Sequence, residues 1–173
     1  MKESALPLLL ALLLASLFAL TLSIPTTGCQ TKTTPTVDCC SGDIEIDPVQ
    51  TILAANAFSG CTGLTSVDMP LVSIVNAGAF EGTTSLTTMV SAAAVTSLGQ
   101  DAFKNTALTS IDLPAAIVIG EGAFEDAVDL EFVSVPLATV LGVRAFQGCS
   151  SLRYINASEA IRVESDAFKD CTS

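Results

Sequence analysis

The sequence contains no histidine and no tryptophan, a single tyrosine, and only seven Lys and Arg residues against eighteen Asp and Glu. The missing histidine excludes every Ser-His or Cys-His nucleophile and every imidazole metal ligand. The shortage of cations leaves a net charge of −11. Nucleic acid and anionic lipid both require a basic surface, so neither is expected as a partner. What is abundant is apolar. Half of the 173 residues are hydrophobic and only 14% are charged, a composition able to fill a core and unlike that of a disordered chain.

The first residues, "MKESALPLLLALLLASLFALTLSIPTTGC", place one Lys before an apolar run from Leu6 to about Leu22. Small or hydroxyl residues follow, Thr21 and Ser23 or Thr26 and Gly28. Residues 1–23 read first as a signal peptide, with an uncleaved signal anchor as the alternative because the run is long. A third reading, a lipid on Cys29, conflicts with Thr26 standing where a lipobox wants an aliphatic residue. A secreted or cell-surface location follows. The membrane enters only through such an N-terminal anchor. Residues 24–48 read as a Thr-rich spacer and a Cys-containing cap.

From about residue 49 the chain repeats. Ala-Phe recurs at Phe58, Phe80, Phe103, Phe124, Phe146 and Phe168, at intervals of 22, 23, 21, 22 and 22 residues. Leu64, Leu86, Leu108, Leu130 and Leu152 hold a strict spacing of 22. Five residues before each Phe stands Leu53, Val75, Leu98, Ile119, Leu141 or Val163. Three after each Leu comes Val67, Met89, Ile111, Val133 or Ile155. Two further on are Met69, Ser91, Leu113, Val135 and Ala157. A fixed period in the twenties marks a solenoid, because no unit can bury its apolar face alone. Segments such as "LTSVDMP" alternate apolar and polar residues and predict a short strand with one buried face, closed by a proline that cannot donate to a ladder.

The pattern aliphatic-x4-Phe-x-Gly-Cys-x-x-Leu-x-x-Val-x-Met-Pro, clearest in "AFSGCTGLTSVDMP" and "AFQGCSSLRYINAS", resembles the BspA-like leucine-rich repeats over about residues 49–173. The expected fold is a repeat solenoid of five to six 22-residue units with a short-stranded parallel sheet on one face. The last unit stops at "AFKDCTS" and reads as incomplete. The resemblance implies adhesion, with a protein or glycan ligand on a host cell, a matrix or a neighbouring cell. A structural wall or matrix component without a specific ligand is the alternative. No cofactor is expected. An enzyme would need a carboxylate pair on the sheet face, where Asp68 and Asp112 stand two turns apart with Val90 between them.

Individual residues also carry readable roles. Cys61, Cys149 and Cys171 share one repeat position and read as an interior column of small residues, with a Cys149–Cys171 bridge as the alternative. Cys39 and Cys40, with Cys29 or Cys61, are candidates to staple the N-terminal cap. "DIEID", residues 43–47, reads as an acidic cap strand, the other option being a Ca²⁺ site. "GEGAFEDA" lacks the frame of a dinucleotide loop and reads as a repeat turn. On the outward strand positions lie Ser66, Thr88, Ser110, Phe132 and Tyr154. Next to them come Asp68, Val90, Asp112, Ser134 and Asn156. The expected binding strip centres on Phe132 and Tyr154, with Glu131, Arg153, Ser134 and Asp112 beside them. Asn156 opens the sequon "NAS" and is a glycosylation candidate on the same face.

Overall fold

The computed structural model describes the backbone of residues 29–31 and residues 40–173 in full. The leader and most of the Thr-rich spacer lie outside the described residues. Among the described residues thirteen short strands follow one another: β1 (Cys29–Thr31), β2 (Ser41–Ile46), β3 (Ile52–Leu53), β4 (Gly63–Asp68), β5 (Ile74–Val75), β6 (Thr88–Ser91), β7 (Ser97–Leu98), β8 (Ser110–Asp112), β9 (Val118–Ile119), β10 (Phe132–Ser134), β11 (Val140–Leu141), β12 (Tyr154–Asn156) and β13 (Arg162–Val163). From β2 onward they wind into a solenoid of parallel strands, as the repeat requires. Each turn supplies one strand to a front face and one two-residue strand to a back sheet. The back sheet joins β3, β5, β7, β9, β11 and β13 without a break. Two-residue strands are too short to alternate, so the repeat pattern does not disclose them.

The core is the recurring set. Phe58, Phe80, Phe103, Phe124 and Phe146 are buried, as are Leu64, Leu86, Leu108, Leu130 and Leu152. The Phe rings form one continuous stack, with centroids 5.0–5.5 Å apart and planes within 9° of parallel through Phe168. Backbone bonds run beside the stack, from Phe58 N–H to the Ala79 carbonyl at 2.7 Å and from Phe80 N–H to that of Ala102 at 2.8 Å. Identical side chains return at the spacing of parallel strands, so each ring fills the gap its neighbour leaves.

The turns around each Phe need a left-handed residue on both sides. Two before the Phe stand Asn56, Gly78, Asp101, Gly122, Arg144 and Asp166, and all have positive φ. Two after it stand Gly60, Gly82, Asn105, Asp126, Gly148 and Asp170, likewise positive. Gly, Asn and Asp tolerate this region, which explains why these types interchange there. Arg144 is the exception, at φ 55°, and its guanidinium pairs with Glu121 of the preceding turn at 2.6 Å. "GEGAFEDA" lies in such a turn. At Gly120 the preceding turn passes so close that a Cβ would sit 2.6 Å from the Leu98 carbonyl oxygen.

The front face departs from expectation. It is two sheets: β1-β2-β4-β6 and β8-β10-β12. The 23-residue interval places its extra residue inside β6, where the register slips so that Asp68 faces Ser91. Ser91 therefore leaves the inner column assigned to it, and Ala92, 4% exposed, takes that place beside Met69 and Leu113. Val90 is the inserted residue and points outward, 57% exposed. Ser91, not Val90, is the residue between Asp68 and Asp112. The compensating loss falls between buried Thr106 and Leu108, where Ala107 alone replaces the two residues of other turns.

At the N-terminus β2 adds a parallel strand in front of β4, and β1 pairs antiparallel with β2. Ile44 and Ile46 point inward and cover the first turn. The alternate acids of 43–47 point the other way, and Asp43 accepts hydrogen bonds from Thr65 Oγ1 at 2.9 Å and Ser66 Oγ at 2.7 Å. Of the four cysteines proposed for the cap, Cys40 and Cys61 form a disulfide. The Cys39 and Cys29 side chains lie outside the described residues. Cys149 and Cys171 are free thiols, whose Sγ atoms donate to the carbonyls of Phe124 and Phe146 at 3.1 and 3.2 Å. The alternative of a bridge between them is not met. Thr83 and Thr106 fill the same column and donate to Phe80 and Phe103.

Burial, and secondarily Cys171, push the Cys149 thiol from its ordinary 9.0 up to about 12. A folded pKa above the unfolded one means that this thiol supports the fold fully below pH 9.0, and that the support is lost as pH rises towards about 12. Alkylation at about pH 8.5 should therefore modify half-buried Cys171 well before Cys149, as peptide mapping would show. Equal labelling would contradict the packing of that column.

One ion pair is partly sealed. Glu125, 9% exposed, meets Lys104 Nζ at 3.3 Å, and Asp101 lies 3.9 Å from the same nitrogen. Lys104→Ala should cost about 1–3 kcal/mol, because it strands a carboxylate in a largely dry site. Denaturant melts of Lys104→Ala and Glu125→Gln, singly and together, measure this. The double substitution should cost less than the sum of the two.

Candidate binding face

The front sheets position two outward columns. One runs Asp43, Ser66, Thr88 and then Ser110, Phe132, Tyr154, and the other Glu45, Asp68, Ser91 and then Asp112, Ser134, Asn156, aligned by strand register within each of the two sheets. Serine, threonine and acids dominate until the last two turns. There Phe132 and Tyr154 are register partners on β10 and β12, 50% and 58% exposed. Parallel strands set them about 4.8 Å apart. Every other Phe of the described residues is buried or packed against the core.

Ser134 faces Asp112 on one side and Asn156 on the other, so Asp112, Phe132, Ser134 and Tyr154 of the expected strip lie in adjoining outward columns. Glu131 and Arg153 flank the rings one turn apart and pair with each other at 3.0 Å. That pair is exposed and holds little energy. It does neutralise both charges, so the acids Glu45, Asp68 and Asp112 dominate the neighbouring column.

The face also holds a groove that the repeat pattern does not disclose. It encloses about 510 Å³ and is lined by Val90, Ser91, Ser110, Asp112, Phe132 and Tyr154, among others. It lies where β6 and β8 fail to join. In every other adjacent pair of front strands a ladder forms, for example Glu131 N–H to Thr109 at 2.8 Å and Thr87 N–H to Thr65 at 3.1 Å. Between β6 and β8 no backbone hydrogen bond is made. The seam falls between the inserted residue, Val90 on β6, and the compensating deletion at Ala107 just before β8.

A parallel solenoid with one front strand, one short back strand and one Phe-anchored turn per 22 residues is a leucine-rich-repeat protein. More narrowly, the chain belongs to the BspA-type leucine-rich repeat family, whose model matches six copies over residues 51–173. Among solved structures it is similar to a leucine-rich repeat protein from Bacteroides ovatus, at 20% identity and a TM-score of 0.54. The match covers 74% of this chain and 45% of that one, so the chain spans under half of that relative's length. It is also similar to a leucine-rich repeat protein of T. pallidum, at 24% identity and a TM-score of 0.46, over 76% of this chain and 80% of that one. A leucine-rich cell surface protein from Faecalibacterium prausnitzii aligns at 17% identity and a TM-score of 0.43, over 73% and 54% of the two chains. No curated protein is significantly similar to it.

Proposed function

We propose that this is a non-catalytic, exported binding protein that attaches to a protein on a cell or matrix through its front face. The observation that carries this is the half-exposed pair Phe132 and Tyr154, in register beside a groove on an otherwise hydroxyl-rich surface. Aromatic rings bring large contact area at small entropic cost and anchor most protein interfaces. The fold makes no demand for rings at these positions, since the same column holds Ser66, Thr88 and Ser110 elsewhere. Export rests on the apolar leader, and the Cys40–Cys61 disulfide suits an oxidising compartment.

Asn156 extends from the same column as Ser134, so a glycan at its sequon would shade Tyr154. The face works with Asn156 unmodified. The test is the double substitution Phe132→Ser with Tyr154→Ser, its fold confirmed by circular dichroism. Adhesion to cells or matrix should fall by at least about thirtyfold, the loss of about 2 kcal/mol expected for a hot-spot pair. Adhesion that survives unchanged would place the binding surface elsewhere.

A further inference from the structure

The geometry points to the occupant of the seam groove: an extended segment of a partner protein that carries a lysine or arginine, its cationic head over Asp112 and its stem between Val90 and the two rings. This rests on the front face being the binding face, and adds what that face selects.

The seam supplies unpaired backbone donors and acceptors. In a parallel ladder alternate residues turn both backbone polar groups to the same neighbour. Phe132 N–H bonds back to Thr109, and Leu113 N–H bonds forward to Ser134. By that phase Ser110 and Asp112 turn their N–H and carbonyl groups towards β6, where no bond forms. Their side chains add a hydroxyl and an exposed carboxylate at the groove wall, with Ser91 opposite. The open edge, with N–H donors and carbonyl acceptors alike, suits the main chain of an extended peptide. The Asp112 carboxylate and the Ser110 hydroxyl beside it suit an ammonium or guanidinium group, which carries donors only.

The rings and the charge favour the same chemistry. Phe132 and Tyr154 line the groove, and a cation seated over an aromatic ring gains electrostatically. Exposed Val90 gives an aliphatic stem something to lie against. The two outward columns hold Asp43, Glu45, Asp68 and Asp112 and no Lys or Arg. Nearby Arg153 is already paired with Glu131. With a whole-chain charge of −11, the surrounding field draws a basic segment in and turns an acidic one away. The groove is also open along the sheet, which fits a strand-like peptide better than a compact small molecule.

The probe is a fluorescein-labelled decapeptide of alternating Lys and Leu, compared with versions that carry Gln or Glu in place of Lys, by fluorescence anisotropy. The Lys peptide should bind at least about tenfold tighter than the Gln peptide, and the Glu peptide weakest. Asp112→Asn should cost the Lys peptide about tenfold and the Gln peptide much less, because only the Lys peptide loses a charge pair. Glu159→Gln removes the same charge from an exposed site off the groove and should have little effect. The proposal is overturned if Gln and Lys peptides bind alike, if no peptide binds, or if Glu159→Gln weakens binding as much as Asp112→Asn. In those cases, adhesion still lost in the Phe132→Ser, Tyr154→Ser protein would leave the binding face standing and remove only the cation. Adhesion unchanged in that protein would remove both.

Discussion

Phe103→Ala and Phe124→Ala should each lower unfolding free energy by about 3–5 kcal/mol, whereas Phe132→Ala should cost well under about 1.5 kcal/mol. Phe103 sits between Phe80 and Phe124 at centroid distances of 5.0 and 5.5 Å, fully buried, so truncation removes its transfer energy and leaves a void. The void cannot collapse readily. Its walls are rings held in place by the backbone bonds of two neighbouring turns, from Phe80 to Ala102 and from Phe103 to Ala123. Stability in a solenoid is a sum over adjacent units, so the cavity also weakens coupling between the turns on either side. Urea melts should show lower midpoints for both variants and a broader transition. Phe132 loses little water on folding, and its removal should be nearly silent. Equal penalties at the three sites would contradict the assignment of inner and outer columns.

Breaking the Cys40–Cys61 bridge should have the next largest effect. The bond closes a loop spanning 21 positions, and on chain entropy alone such a loop is worth about 3 kcal/mol. It also ties β2 to the first complete turn. Ile44 and Ile46 are only 2% and 0% exposed because β2 covers the end of the core, and a loosened β2 would admit water to Leu64 and Val67. Thermal melts with and without a reductant should differ by several degrees in the native sequence. In Cys40→Ser the reductant should make no difference, and the melt should resemble that of the reduced protein. A native melt indifferent to reductant would show that β2 holds by packing alone.

Much of this architecture is legible in the sequence, because a solenoid writes its core as a period. The Phe, Leu and aliphatic columns name the buried residues, and the outward columns name Phe132 and Tyr154 as the exposed rings. The location of the inserted residue is not legible. After Met89 come Val90, Ser91 and Ala92, in which a small serine and a small alanine compete for one inner position and an apolar valine stands outside. Counting forward from Leu86 selects Ser91, while the register selects Ala92. The seam, and with it the groove, lies between that slip and the deletion at Ala107 that compensates it. The left-handed turn positions hide for another reason: Gly, Asn and Asp share a backbone preference but little else, so their column does not read as one class. The back sheet leaves no alternation to find.

A partner seated on the front face at Phe132 and Tyr154 would lie within reach of a cross-linker placed there. The most direct test replaces Phe132 by a photoreactive phenylalanine analogue and, in a second protein, places the same analogue at Val118, exposed on the back sheet. Both are irradiated on the cells or matrix to which the protein adheres, and cross-linked protein is resolved by mass. Adducts formed from position 132 and absent from position 118 are the predicted result. Adducts from position 118 alone, or equally from both, would contradict it.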